Sequence, residues 1–243
     1  MSDREALPNV LDEHATIEQA VEHGMSIARF GDGELKLCRG VSCKTQRHDP
    51  LLTTRLREVL RCPDKRVMVC IPRIWQPRPE FTEQKERFWR QYRGAHTIPY
   101  LRLSKLYGSS FISRDDSAPD IMDVGYFAMV RLLWEGRDVV FVHGTKKGRV
   151  ATTGGLLGNA ASLTEIQGPK QSAWSKFDTL REAILAEAGA KPKPLAVLAL
   201  GDTATVLAHD LQVKHDLQAL DIGHMGTPFR VWSRSEDRDD DDD

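Results

Sequence analysis

The sequence predicts one α/β domain built on a mainly parallel sheet flanked by helices. Three observations carry that expectation. The last third of the chain alternates strand-like and helix-like runs, with strands expected at 163–166, 195–200 and 217–222 and helices at 173–188 and 203–211. That βαβ rhythm places parallel strands beneath crossover helices. A length of 243 residues, 40% of them apolar and 28% charged, suits one sizeable domain with a full core, and a second domain is not expected. Buried-looking runs also end repeatedly in polar, glycine-bearing loops, where ligands of parallel sheets bind.

In chain order, Thr16 is the expected cap of a short helix running to Glu22. Residues 26–30 then read as a strand that delivers Arg29-Phe30-Gly31-Asp32-Gly33-Glu34 at its carboxyl end. Asp49-Pro50 pairs an N-cap with a proline at the first helical position, opening a helix through Leu60. Val67 to Ile71 is a short buried strand. A helix is expected over 80–92 with Phe81, Phe88 and Trp89 partly inward, and a longer one over 119–134 presenting Ile121, Val124, Phe127, Met129, Val130 and Leu133. The run Val139-Val140-Phe141-Val142 is a strong strand that ends in the polar loop His143 to Arg149.

Asp32 and Glu34 support two readings. In an extended segment, carboxylates one residue apart share a side, Gly33 adds no bulk, and the pair suits a Mg²⁺ or Mn²⁺ ion bound together with substrate phosphates. The same four residues, Gly31 to Glu34, also spell a turn in which Asp32 caps the next helix and Glu34 lies in its first turn. Further along, Gly201-Asp202-Thr203 joins a strand to a helix, where free N–H groups and hydroxyls suit a phosphate, although Asp202 is an awkward neighbour for an anion and is equally an N-cap. Asp221 and His224 close another strand and are expected to face the same crevice.

A formal net charge of −1 argues against a general nucleic-acid binder. No GxGxxG follows a strand, so a dinucleotide is not indicated. The amino terminus lacks a basic and apolar leader and no run is long enough to cross a bilayer, which leads to the expectation of a cytoplasmic protein. The four cysteines, Cys38, Cys43, Cys62 and Cys70, match no zinc or redox spacing and are expected as packing thiols. The five aspartates after Arg238 are expected to be disordered.

Four ordered words extend the reading: Ala28-Arg29-Phe30-Gly31-Asp32-Gly33-Glu34-Leu35, Phe111-Ile112-Ser113-Arg114, Leu198 to Ala208, and Ala219-Leu220-Asp221-Ile222-Gly223-His224. In them the chain resembles the bacterial GT-D glycosyltransferases, first described as a domain of unknown function. The resemblance implies a Rossmann-like domain over 14–232, between an amino-terminal extension (1–13) and an acidic tail (233–243). It implies a nucleotide-sugar donor, a UDP-sugar by expectation, a glycan or glycoprotein acceptor, and a divalent metal, Mn²⁺ or Mg²⁺, at Asp32 and Glu34. Donor contacts are expected from Arg29, Gly31, Ser113, Arg114, Arg149, Gly201 and Thr203, the arginines through charge-assisted bonds to phosphate. Asp221, His224 and Glu34 are the candidates for taking the proton of an acceptor hydroxyl.

The chain departs from the family pattern in three places. Gly201-Asp202-Thr203 stands where Gly-Pro-Thr is usual, the loop 143–149 is more basic, and Met225 to Phe229 replaces an acidic and aromatic continuation. The remaining alternatives are a metal-dependent phosphohydrolase and a non-catalytic nucleotide-binding protein of the same fold.

Overall fold

A computed structural model describes residues 7–94, 97–144 and 155–239. The first half of the chain supplies β1 (Asn9–Val10), α1 (Glu13–Glu22), β2 (Ser26–Arg29), α2 (Asp32–Cys38), α3 (Pro50–Leu60), β3 (Val67–Ile71), α4 (Glu83–Arg90) and β4 (Leu106–Ser109). The second half supplies α5 (Val124–Arg131), β5 (Asp138–His143), β6 (Ser162–Gln167), α6 (Phe177–Gly189), β7 (Pro194–Ala199), α7 (Asp202–His215), β8 (Ala219–Asp221) and α8 (Gly226–Asp239).

These strands form one sheet in the order β1-β4-β3-β2-β8-β7-β5-β6, and every pairing is parallel. Strands β2 and β3 are buried along their whole length, as strands covered on both faces must be. The two halves of the sheet meet where Ile27 of β2 pairs with Leu220 of β8. From β5 the chain leaves to β6 on one side, and from β7 it leaves to β8 on the other. Such a reversal opens a crevice beyond the strands' carboxyl ends. Helix α7 lies across β2 and β8 and packs on α3, so its amino end arrives beside the start of α2.

Several local expectations are corrected. Asp12, not Thr16, caps α1, accepting from the Ala15 N–H at 2.7 Å. Thr16 sits one turn inside, and its Oγ1 accepts the Ser109 N–H at 2.8 Å, tying α1 to β4. The helix expected over 119–134 is interrupted, because Asp123 caps a new start by accepting from the Gly125 N–H at 2.6 Å; only a 3₁₀ turn at Pro119–Ile121 precedes it. Helix α8 continues to Asp239, past the boundary at 233. Its first turns are anchored by Phe229 and Trp232, both against Phe127 with ring centroids 5.4 and 5.2 Å away. Residues 240–243 and the loop 145–149, including Arg149, lie outside the described residues.

Strand β4 escaped the sequence reading because Leu-Tyr-Gly-Ser has little strand character. Its glycine is forced by packing, since a Cβ on Gly108 would sit 2.7 Å from Cys70 Sγ and 2.8 Å from a Thr16 methyl. All four cysteines are free thiols; Cys38, Cys62 and Cys70 are buried and Cys43 is half-buried.

Candidate active site

The Asp-x-Glu word begins a helix and is not extended. Gly31 is the N-cap of α2, Asp32 its first residue and Glu34 its third. Residues two apart on a helix do not face each other, so the two carboxylates diverge. Asp32 turns toward solvent, about one third exposed, and accepts from Lys36 Nζ at 3.1 Å. Glu34 turns inward, 5% exposed, and its Oε2 accepts the Gly31 N–H at 2.7 Å. As a test of the expected metal, this geometry does not form a two-carboxylate chelate. Asp32 alone offers an accessible oxygen, which suits a Mg²⁺-type ion completed by water and phosphate. Among the described residues no group of three or more His, Cys, Asp and Glu converges as a metal site.

Gly33 has a different purpose from the one its sequence suggests. A Cβ there would lie 2.3 Å from Asp202 Oδ1, so the missing side chain makes room for Asp202. Asp202 is buried at the first position of α7, and its Oδ2 accepts from Thr45 Oγ1 at 2.7 Å and from Cys43 Sγ at 3.2 Å. Gly201 before it has φ +61° and ψ −150°, a backbone region that essentially only glycine occupies. Burial raises the Glu34 carboxyl well above the usual range; Asp202 and Asp221 push it the same way, while Arg29 opposes them.

Arg29, the last residue of β2, is 8% exposed and held on three sides. Its Nη1 is 3.5 Å from the Ser110 carbonyl, its Nε is 3.9 Å from Asp221 Oδ1, and its own carbonyl accepts from Thr205 Oγ1 at 2.8 Å. Gly223, with φ +51°, closes over the guanidinium; a Cβ there would sit 2.2 Å from Nη2. Burial raises the Asp221 carboxyl to about 6, against the lowering effect of Arg29. His224, expected beside Asp221, is exposed on the turn that follows.

Three of the sequence candidates carry a buried polar atom with no hydrogen-bond partner among the described residues: Arg29 Nε, which has Asp221 at the longer ion-pair distance of 3.9 Å, Ser113 Oγ and Thr203 Oγ1. They lie at the end of β2 and just beyond the ends of β4 and β7, all on the carboxyl edge of the sheet. Buried polar atoms left unpaired are costly and usually mark a missing ligand or water. Arg114, also at this edge, is committed elsewhere: its Nε and Nη2 form a fork with Asp116 at 2.8 and 2.9 Å. Sequence reasoning assigned no role to Gly223 or Thr45. Only the glycine left a signal, as a strand-end Gly.

A parallel α/β sheet with polar side chains gathered at its carboxyl edge is the arrangement of the α/β proteins that bind ligands beyond their strand ends. The family model for the glycosyltransferase GT-D fold matches residues 27–239, and the chain belongs to that family. It is 32% identical over 91% of its length to a probable glycosyl transferase Gly of Streptococcus gordonii, and 30% identical over 90% to the glycosyltransferase GlyD of Streptococcus pneumoniae. The chain spans only 32% and 27% of those relatives' lengths. Among solved structures it is similar to a new glycosyltransferase (DUF1792) from Streptococcus sanguinis, with TM-score 0.82 and 32% identity over 94% of this chain and 85% of that one. It is also similar to a structure described as domain of unknown function 1792 with a distinct glycosyltransferase fold, with TM-score 0.83 and 27% identity over 95% and 83%.

Proposed function

We propose that this chain is a metal-dependent glycosyltransferase that moves a sugar from a nucleotide-sugar donor, a UDP-sugar, to a hydroxyl of a glycan or glycoconjugate. The observation that carries the reading is the set of buried polar atoms without a hydrogen-bond partner on Arg29, Ser113 and Thr203 along one sheet edge. A diphosphate supplies the acceptors these atoms lack. Negative charge builds on that diphosphate as the glycosidic bond to the donor breaks, and donors fixed before the reaction stabilise it without reorganising. Asp32 is the carboxylate that would hold the metal, Mn²⁺ or Mg²⁺, which neutralises further charge on the leaving group when bound.

The diverging carboxylates divide the work. Glu34 points inward, and burial makes its carboxyl a better proton acceptor than an exposed one. It takes the acceptor hydroxyl's proton as the new C–O bond forms. Asp221 acts through Arg29 and is a positioning residue. No helix among the described residues is long and apolar enough to cross a membrane.

The test is a thermal-unfolding series with UDP and UDP-sugars, with and without Mn²⁺. A ligand bound only by the folded state at one hundred times its Kd adds about 2.7 kcal/mol. UDP with Mn²⁺ should raise Tm, Asp32→Asn should abolish the rise, and Glu34→Gln should keep it while losing turnover. If no nucleoside diphosphate stabilises the protein with metal, the reading fails. Phosphate release from generic phosphoesters without an acceptor would assign a phosphohydrolase instead.

A further inference from the structure

A cavity of about 640 Å³ lies at the opposite end of the sheet, where β2, β3 and β4 begin. Met25, Val67 and Met68 give it an apolar wall, and Lys65, Arg102 and Lys105 bring three cations to it, while no carboxylate lines it. Asp64, next in the chain to Lys65, pairs with Arg66 at 2.7 Å, and Glu22, next to the lining residue His23, lies 3.9 Å from the His23 ring. Lys105 donates to the Cys62 carbonyl at 2.8 Å, and Arg102 Nη1 lies 3.4 Å from the Arg61 carbonyl, so both also cap the end of α3. Capping uses one of the ammonium's three donors and one of the guanidinium's five. Burial first, and then repulsion from Arg102, lowers the Lys105 ammonium below its usual range. Like charges gathered where no carboxylate is among the lining residues, beside an apolar wall of ligand size, fit an anion that carries an apolar body.

We infer that this cavity is a second ligand site, separate from the carboxyl-edge crevice, that takes a soluble small organic anion with a phosphate or carboxylate head on Arg102 and Lys105 and an apolar body against Met25, Val67 and Met68. The inference does not depend on the proposed transferase activity. Calorimetric titration of the full chain with octyl phosphate, kept below its micelle concentration, tests it.

The expected result is saturable one-to-one binding that weakens with salt. Arg102→Gln and Lys105→Met should each weaken it roughly tenfold, as loss of a hydrogen bond to a charged group does. Inorganic phosphate should bind more weakly, and Asp32→Asn should leave octyl phosphate binding intact. Arg102 is exposed, so its variant keeps the test decisive even if Lys105→Met fails to fold. Absence of saturable binding, binding untouched by both substitutions, or loss of binding in Asp32→Asn would each overturn the inference. So would equal affinity for inorganic phosphate, or pelleting with phosphatidylglycerol vesicles without binding of soluble octyl phosphate.

Discussion

Replacing Gly33 by alanine separates a glycine kept for its neighbour from one kept for a ligand. The new Cβ would stand 2.3 Å from Asp202 Oδ1, 3.4 Å from its Cγ and 3.6 Å from Cys43 Sγ. Asp202 cannot swing aside cheaply, because it is 4% exposed and holds Thr45 at 2.7 Å and Cys43 at 3.2 Å. Overpacking of this kind costs about 1–3 kcal/mol. The better helix propensity of alanine returns up to about 1 kcal/mol. An approach as close as 2.3 Å to a buried side chain puts the overpacking cost at about 2–3 kcal/mol, so the net loss is about 1–2 kcal/mol, and at roughly 2–4 °C per kcal/mol for a chain of this size Tm should fall by about 2–8 °C. Calorimetric or circular-dichroism melting reads it. Asp202→Ala removes the clashing atom, so in the Gly33→Ala background it should cost less than it does alone, with coupling of about 1 kcal/mol. A Gly33→Ala protein that melts at or above the parent, or strictly additive costs in the double variant, would refute the packing argument.

Three further outcomes follow from the same site. Asp221 holds its proton up to about 6 in the fold, against roughly 3.9 in an unfolded chain. Its stabilising contribution is thus complete below pH ~4 and is lost as pH rises through about 6, by about 3 kcal/mol. Urea unfolding of parent and Asp221→Asn from pH 4 to 7.5 should show a stability difference that changes in that window, and a flat difference would count against it. Gly223→Ala, strained at φ +51° and placing a Cβ 2.2 Å from Arg29 Nη2, should displace the guanidinium and weaken UDP binding about tenfold, the loss of one charge-assisted bond. Unchanged UDP affinity with a normal fold would remove Arg29 from the donor site. Thr205→Val loses the 2.8 Å bond to the Arg29 carbonyl in a buried setting and should cost about 1–2 kcal/mol in urea unfolding; a cost below the error of the measurement would show that the bond contributes nothing net.

The sequence by itself determined the local vocabulary of the protein. Periodicity found β2, β3, β5, β6, β7 and β8, Asp49-Pro50 marked the start of α3, and the family-like words placed Arg29, Asp32, Glu34, Thr203 and Asp221 at element ends. These signals are legible because they depend on neighbours within a few residues. The Asp-x-Glu word was not resolved, since the same residues serve an extended chelate or a helix start, and the choice rests on what packs behind Gly33. Asp12 over Thr16, the break at Asp123 and the course of α8 were likewise settled by competing caps and by aromatic contacts with Phe127.

Only the tertiary structure set the strand order, which puts β8 beside β2 and so brings Asp221 and Gly223 onto Arg29. It alone laid the start of α7 against α2, turning Asp202 and Gly33 into one contact, and gathered buried polar atoms without hydrogen-bond partners from three separate strand ends along a single edge. The physical reason is range: caps and periodicity act over a few residues, whereas strand order and buried polar pairing come from burying one core whose parts are far apart in the chain.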